Sequence, residues 1–146
     1  MTIQDKVIGS LCAWRENRGG GVEGMHSIFN VLLNRAKRRS TSVYMEATRK
    51  LQFSSMTSAG DSQLVLYPVD TDPQWIAALD LAEQASNGTL TDITMGASLY
   101  YAPKSLVTYK GQAWMLPDGQ VIPFPDNWNK AAVTYLCTIQ GQVFFK

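Results

Sequence analysis

Glu16 is the residue of this 146-residue chain best placed for acid–base chemistry. It stands in A-W-R-E-N-R-G-G-G-V-E-G, after a helical apolar pattern and before three glycines, Gly19 to Gly21. Glycine tolerates the left-handed backbone that closes a helix, so Glu16 is expected in a last helical turn. The negative end of the helix dipole disfavours a charged carboxylate there. Ile8, Cys12 and Glu16 recur at four-residue spacing, so the carboxyl also continues an apolar row and should be partly desolvated. Both effects raise its pKa, and nearby Arg18 opposes them. A carboxylic acid that keeps its proton at working pH is what general-acid cleavage of a glycosidic bond needs.

Other chemistry-bearing residues are fewer. Gln52 and Phe53 set an amide beside an aromatic in a polar loop. An amide suits an N-acetyl group and an apolar ring suits a sugar face; the pair also reads as a plug into the core. Tyr100 and Tyr101 alternate, so one should enter the core and the other face outward, with Tyr101 preferred as the substrate contact. His26, Asn30 and Asn34 form a polar row at helical spacing, and His26 reads as a satisfied helix histidine. Ser54 and Ser55 lack any nucleophile motif or base. The carboxylates Glu23, Asp61, Asp70, Asp72, Asp118 and Asp126 are scattered, with no evident partner for Glu16. One histidine and two distant cysteines, Cys12 and Cys137, make a zinc site improbable and read as buried free thiols. No metal or cofactor is expected.

The elements that must position these groups are mostly helical. Residues 3–17 read as a first helix, with Ile3, Val7, Leu11 and Trp14 inward and Asp5 and Arg15 on the solvated side. Residues 22–38 read as a second, with an apolar stripe of Val22, Met25, Phe29, Leu32 and Leu33 and a basic C-terminal cluster suited to the helix dipole. A short helix over 42–50, capped by Ser40 or Thr41, precedes a loop and an extended segment at 64–69. Asp72 and Pro73 open the clearest helix, which buries Trp75, Ala78, Leu79 and Ala82 and ends at Asn87-Gly88. The C-terminal third reads as short strands, a turn at Pro117-Asp118-Gly119 and a helical turn at 127–130. The fold class is therefore α+β, mostly helical, in one domain over 1–146. A net charge of +1 and no long apolar run argue against nucleic-acid partners and membrane insertion. The N-terminus lacks a secretory pattern, so accumulation in the cytoplasm is expected.

E-N-R-G-G-G-V-E-G together with V-L-L-N-R resembles the catalytic domain of SleB-type cell-wall hydrolases, the spore cortex-lytic enzymes and their phage relatives. Glu16, Arg18 and Gly19 match the opening E-A-R-G-E motif, Gly24 its later glycine, and Val31 to Arg35 the helix end I-L-N-R. Gln52-Phe53-Ser54 matches Q-F-S, and Trp75, Ala78 and Ala82 match W-x-x-A-x-x-x-A. Asp92, Thr94, Gly96, Ala97, Tyr100 and Tyr101 match D-x-T-x-G-A-x-x-Y-Y, and Val143 to Phe145 resembles the closing H-x-F-Y. The pieces run in order over nearly the whole chain. Three positions depart: Gly20 replaces the second glutamate, Gln142 the closing histidine, and His26 and Asn30 stand where small apolar residues are usual.

The resemblance implies a lysozyme-like fold and cleavage of the MurNAc–GlcNAc bond of peptidoglycan, with Glu16 as the catalytic acid. It also implies substrate contacts at Gln52, Phe53, Ser54, Tyr100 and Tyr101. The lack of a carboxylate pair tilts the reading toward a lytic transglycosylase, in which one carboxyl gives and then takes a proton. A hydrolytic muramidase with a second carboxylate and a non-catalytic glycan-binding domain are the alternatives. The setting expected is a phage-type endolysin, a monomer that acts on the wall once a holin releases it from the host cytoplasm.

Overall fold

A computed structural model of the chain describes residues 1–106 and 111–146. Positions 107–110, within the turn-rich stretch of the C-terminal third, lie outside them. The helices are α1 (Ile3–Asn17), α2 (Gly21–Arg39), α3 (Val43–Ala47), α4 (Ser54–Thr57) and α5 (Pro73–Ser86). The strands are β1 (Leu99–Tyr101), β2 (Ala113–Met115), β3 (Val121–Pro123), β4 (Tyr135–Ile139) and β5 (Gln142–Phe145). They form an antiparallel sheet of order β1-β5-β4 and a separate β2-β3 hairpin. The architecture is α+β and mostly helical, with its sheet at the C-terminal end.

Local chemistry explains most element ends. Thr2 and Asp5 close a reciprocal capping box at the start of α1. Asp72 caps α5 by accepting from the Gln74 amide, and Pro73 follows it as expected. Ser42, one residue beyond the expected caps, accepts from the Met45 amide and starts α3. Between α1 and α2 the chain makes one tight 3-10 turn, Arg18–Gly20, and only Gly21 takes a positive φ, 64°. Gly24 has a different reason. A Cβ there would sit 2.7 Å from the Asn17 side chain and 3.0 Å from its carbonyl, so glycine lets α2 press onto the end of α1.

The principal core lies between α1, α2 and α5, around Cys12, Ile28, Phe29, Leu32 and Ala82. A second core, Tyr101, Phe124, Val143 and Phe145, fills the space between sheet and hairpin. Strand β5 joins the two. Its alternation sends Phe144 toward α2, against Val31 and Ala97, while Val143 and Phe145 face the hairpin side. Each fully buried phenylalanine contributes about 2–3 kcal/mol.

Several expected exposures are corrected. Asp5 and Arg15 are buried, because α3 covers the first and the 55–67 segment covers the second. Ile3, Val7 and Val22 are exposed; in the first turns of α1 the covered side is the one that carries Asp5 and Gly9. Leu81 replaces Leu79 on the buried face of α5. A four-residue helix, α4, stands where a loop was expected; of the extended segment expected at 64–69, the first two residues end a 3-10 turn, Ser62–Val65, and Leu66 after it is extended without joining a sheet. The expected turn at Pro117–Gly119 is present, and it closes the β2-β3 hairpin. The later helical turn falls at Lys130–Ala132. Both cysteines are free; Cys12 is buried and Cys137 only partly so.

Three carboxyls tie the fold to acid pH. Burial pushes Asp5, Glu46 and Asp92 up, but hydrogen bonds outweigh it and leave all three lowered. Glu46 is fully buried and accepts from Arg49 and Arg39 at 2.8 and 2.6 Å. A carboxyl lowered by folding contributes stability above its unfolded pKa, about 4, and loses it as pH falls through the folded value. The melting temperature is therefore expected to fall between pH 5 and pH 2. Glu46→Gln should flatten that fall while lowering stability at pH 7.

Candidate active site

Glu16 occupies the penultimate position of α1, half-buried, with both carboxyl oxygens held. The Ser55 hydroxyl donates to Oε1. The Tyr100 hydroxyl donates to Oε2 at 2.6 Å. Ser55 is 2% exposed and sits in the first turn of α4, which Arg15 clamps to α1 by donating to the Ser55 carbonyl at 3.1 Å. Tyr100 comes from the middle of β1. Burial first, and the neighbouring Glu16 carboxylate second, push its phenol well above the usual range. It is thus a fixed neutral donor. Each carboxyl oxygen still has a second lone-pair position on which a proton can be held.

Placing β1 at this depth is the task of the 91–98 segment. Asp92 gathers the Thr94 and Gly96 amides at 2.8 and 2.9 Å and the Asn34 amide at 3.0 Å. Asn30 accepts from the Ile93 amide, and His26 donates to the Thr91 carbonyl at 2.8 Å. The polar row of α2 therefore faces this loop. Arg35 donates to the Ser98 carbonyl at 2.6 Å, one residue before β1.

Three neighbouring cavities form a trough past the carboxyl. One, of about 400 Å³, lies between Glu16, Arg18 and Gln63. The next, of about 340 Å³, is lined by Glu16, Gln52, Phe53, Ser54, Tyr100 and Trp128 among others. It shares Arg35, Gln52 and Leu99 with a third. Among the described residues, Glu16 has the one carboxylate side chain lining any of the three.

Of the expected site residues, Glu16, Gln52, Phe53, Ser54 and Tyr100 come together here. Two roles are corrected. Phe53 is 1% exposed and lies in the core beneath Tyr100, with the Arg35 guanidinium 4.8 Å above its ring, so its face is not open to a sugar. Tyr101 points to the other side of the sheet and donates to the Pro123 carbonyl at 2.8 Å; Tyr100, not Tyr101, reaches the trough. Neither tyrosine faces bulk solvent, because helices cover one side of the sheet and the hairpin covers the other. Ser54 donates to Asp61 at 2.5 Å. Sequence reading missed the Ser55 contact with Glu16 and the cavity-lining role of Arg35; Trp128 reads from sequence as a packing residue, and it packs against the second core while also lining this cavity. Ser55 follows directly on Gln52-Phe53-Ser54, and that adjacency was its only signal. Gln142, at the position of the absent histidine, accepts from Asn17 at 3.1 Å, so the departure sits beside the end of α1.

Removing one donor tests the arrangement. Tyr100→Phe keeps the ring in place and deletes the hydrogen bond to Oε2. Turnover is expected to fall by up to about 10²-fold with KM nearly unchanged, as measured on solubilised substrate.

The helical body, the small terminal sheet and a carboxyl at a helix end facing a trough define a lysozyme-like fold. The chain is similar to the catalytic domain of germination-specific lytic transglycosylase SleB from Bacillus anthracis, with a TM-score of 0.67 and 20% sequence identity, over 100% of this chain and 97% of that one. At this identity the likeness establishes the fold. No family model and no curated protein matches the sequence.

Proposed function

We propose that this chain degrades peptidoglycan by cutting the MurNAc–GlcNAc bond as a lytic transglycosylase, with Glu16 as acid and then base. The observation that carries the reading is a single carboxyl, oriented by two hydroxyl donors, in a trough lined by no second carboxylate side chain among the described residues. The solved structure of similar fold is the catalytic domain of a lytic transglycosylase. Glu16 protonates the bridging oxygen, and the C1–O bond breaks with its electron pair passing to that oxygen. The MurNAc ring becomes oxocarbenium-like. The carboxylate then removes the proton of the 6-hydroxyl, and O6 closes on C1 to give a 1,6-anhydro end. Atoms balance without water. A hydrolase would need a second carboxylate to activate water or to attack C1.

Mass spectrometry of digested peptidoglycan tests this directly. Products lighter by one water than reducing-end muropeptides are expected; reducing ends alone would establish hydrolysis instead. The proposed setting is a phage-type endolysin acting after release from the host cytoplasm. Lysis is accordingly expected on co-expression with a membrane-permeabilising holin and not without one.

A further inference from the structure

The third cavity, about 350 Å³, has a charge character the rest of the chain lacks. Arg35, Arg38, Arg39 and Lys146 line it beside Gln52 and Ser98, and no carboxylate side chain does. Four cations around one cavity contrast with a net charge of +1 for the whole chain. Arg39 is matched by Glu46. Arg38 donates only to the neutral Ser98 hydroxyl. Among the described residues, neither Arg35, Arg38 nor Lys146 forms an ion pair.

Arg35 is the buried member of the set. It is 8% exposed, and its Nη1 is buried without a hydrogen-bond partner among the described residues. Its other contacts are the Ser98 carbonyl and the Phe53 ring, neither of them anionic. A buried guanidinium whose hydrogen bonds and ring contact go only to neutral groups is favoured by an anion close by, and Glu46 acts on it only at a distance. Cations at a helix C-terminus explain Arg38 and Arg39. They do not explain the buried Arg35 or Lys146, which follows β5.

We propose that this cavity is an anion subsite that takes a carboxylate carried by the glycan strand, on its lactyl group or on its peptide branch. The inference rests on the proposed action on peptidoglycan. The cavity shares Arg35, Gln52 and Leu99 with the Glu16 cavity, so a strand lying over the carboxyl brings its next substituent to the four cations. An uncharged glycan would leave Arg35, Arg38 and Lys146 unmatched. The trough therefore selects strands that keep free carboxylates.

The test uses the full chain with Glu16→Gln, so that binding is read without cleavage. Calorimetry compares solubilised strands with the same strands after carbodiimide amidation of their carboxylates. Native strands are expected to bind about tenfold more tightly, by a margin that shrinks with salt. Adding Arg38→Gln and Lys146→Gln, both at exposed positions, should abolish the margin. Strands stripped by an amidase keep only the lactyl carboxylate: full affinity for them assigns the anion to the lactyl group, and reduced affinity assigns it to the peptide. Equal binding of native and amidated strands, or a margin that survives the double substitution, overturns the subsite. So does a margin removed by hydrofluoric acid, which strips wall phosphates and leaves carboxylates. Failure of the cleavage reading shows separately, as wild-type protein that yields no muropeptides from native strands.

Discussion

Glu16→Gln is expected to lower cleavage of peptidoglycan by about 10²–10⁴-fold while leaving the protein folded. The amide has the shape of the carboxyl and keeps one acceptor oxygen, so Ser55 or Tyr100 retains a partner. It cannot give a proton to the bridging oxygen or take one from the 6-hydroxyl, so both halves of the proposed reaction stop together. Circular dichroism and melting should change little, because the position lies at a helix end facing a trough and not in the core. Glu23→Gln is the control. Glu23 is an exposed carboxylate seven residues further on, accepts from Gln140 at 2.6 Å and lines none of the three cavities. It should leave the rate unchanged. A Glu16→Gln protein that clears peptidoglycan suspensions at the wild-type rate would remove the catalytic assignment.

Phe53→Ala should be the most destabilising change near the site, costing about 3–5 kcal/mol. The ring is 1% exposed and packs in the principal core. Its centroid lies 6.3 Å from that of Tyr100, and it also supports Arg35. Deleting it opens a cavity beneath the two residues that line the trough, so the folded fraction should also lose turnover. Phe53→Leu keeps an apolar filler and should cost under about 1.5 kcal/mol, with KM nearly unchanged. Denaturant melts and Michaelis–Menten kinetics on the same preparations separate the roles. A ring that packed against sugar would show the reverse, a raised KM in both variants with little loss of stability.

The motif pieces of the sequence divide in the same way. Asp92, Thr94 and Gly96 belong to a matched motif, and their hydrogen bonds build one turn and anchor it to Asn34. Their contribution to the site is indirect: they set the depth of β1, and hence where the Tyr100 hydroxyl ends. Gly24 contributes in a similar way, since α2 approaches the end of α1 too closely for any side chain there.

What the sequence determined by itself is what local rules govern. The span of α1, the cap and end of α5, the turn at Pro117–Gly119, the strands before and after Gly141 and the position of Glu16 in a last helical turn all follow from short-range periodicity and capping. Tertiary structure decided which side of each element is covered. Asp5 and Arg15 read as solvated and are buried, because segments 39 to 51 residues away in sequence fold over them. Tyr100 and Tyr101 differ by one position on a strand covered on both faces, so alternation separates them without saying which face holds Glu16. Ser55, Tyr100 and Glu16 meet across 39 and 84 residues of chain. Packing between α1, α4 and β1 makes that meeting, and no spacing within any one of them contains it.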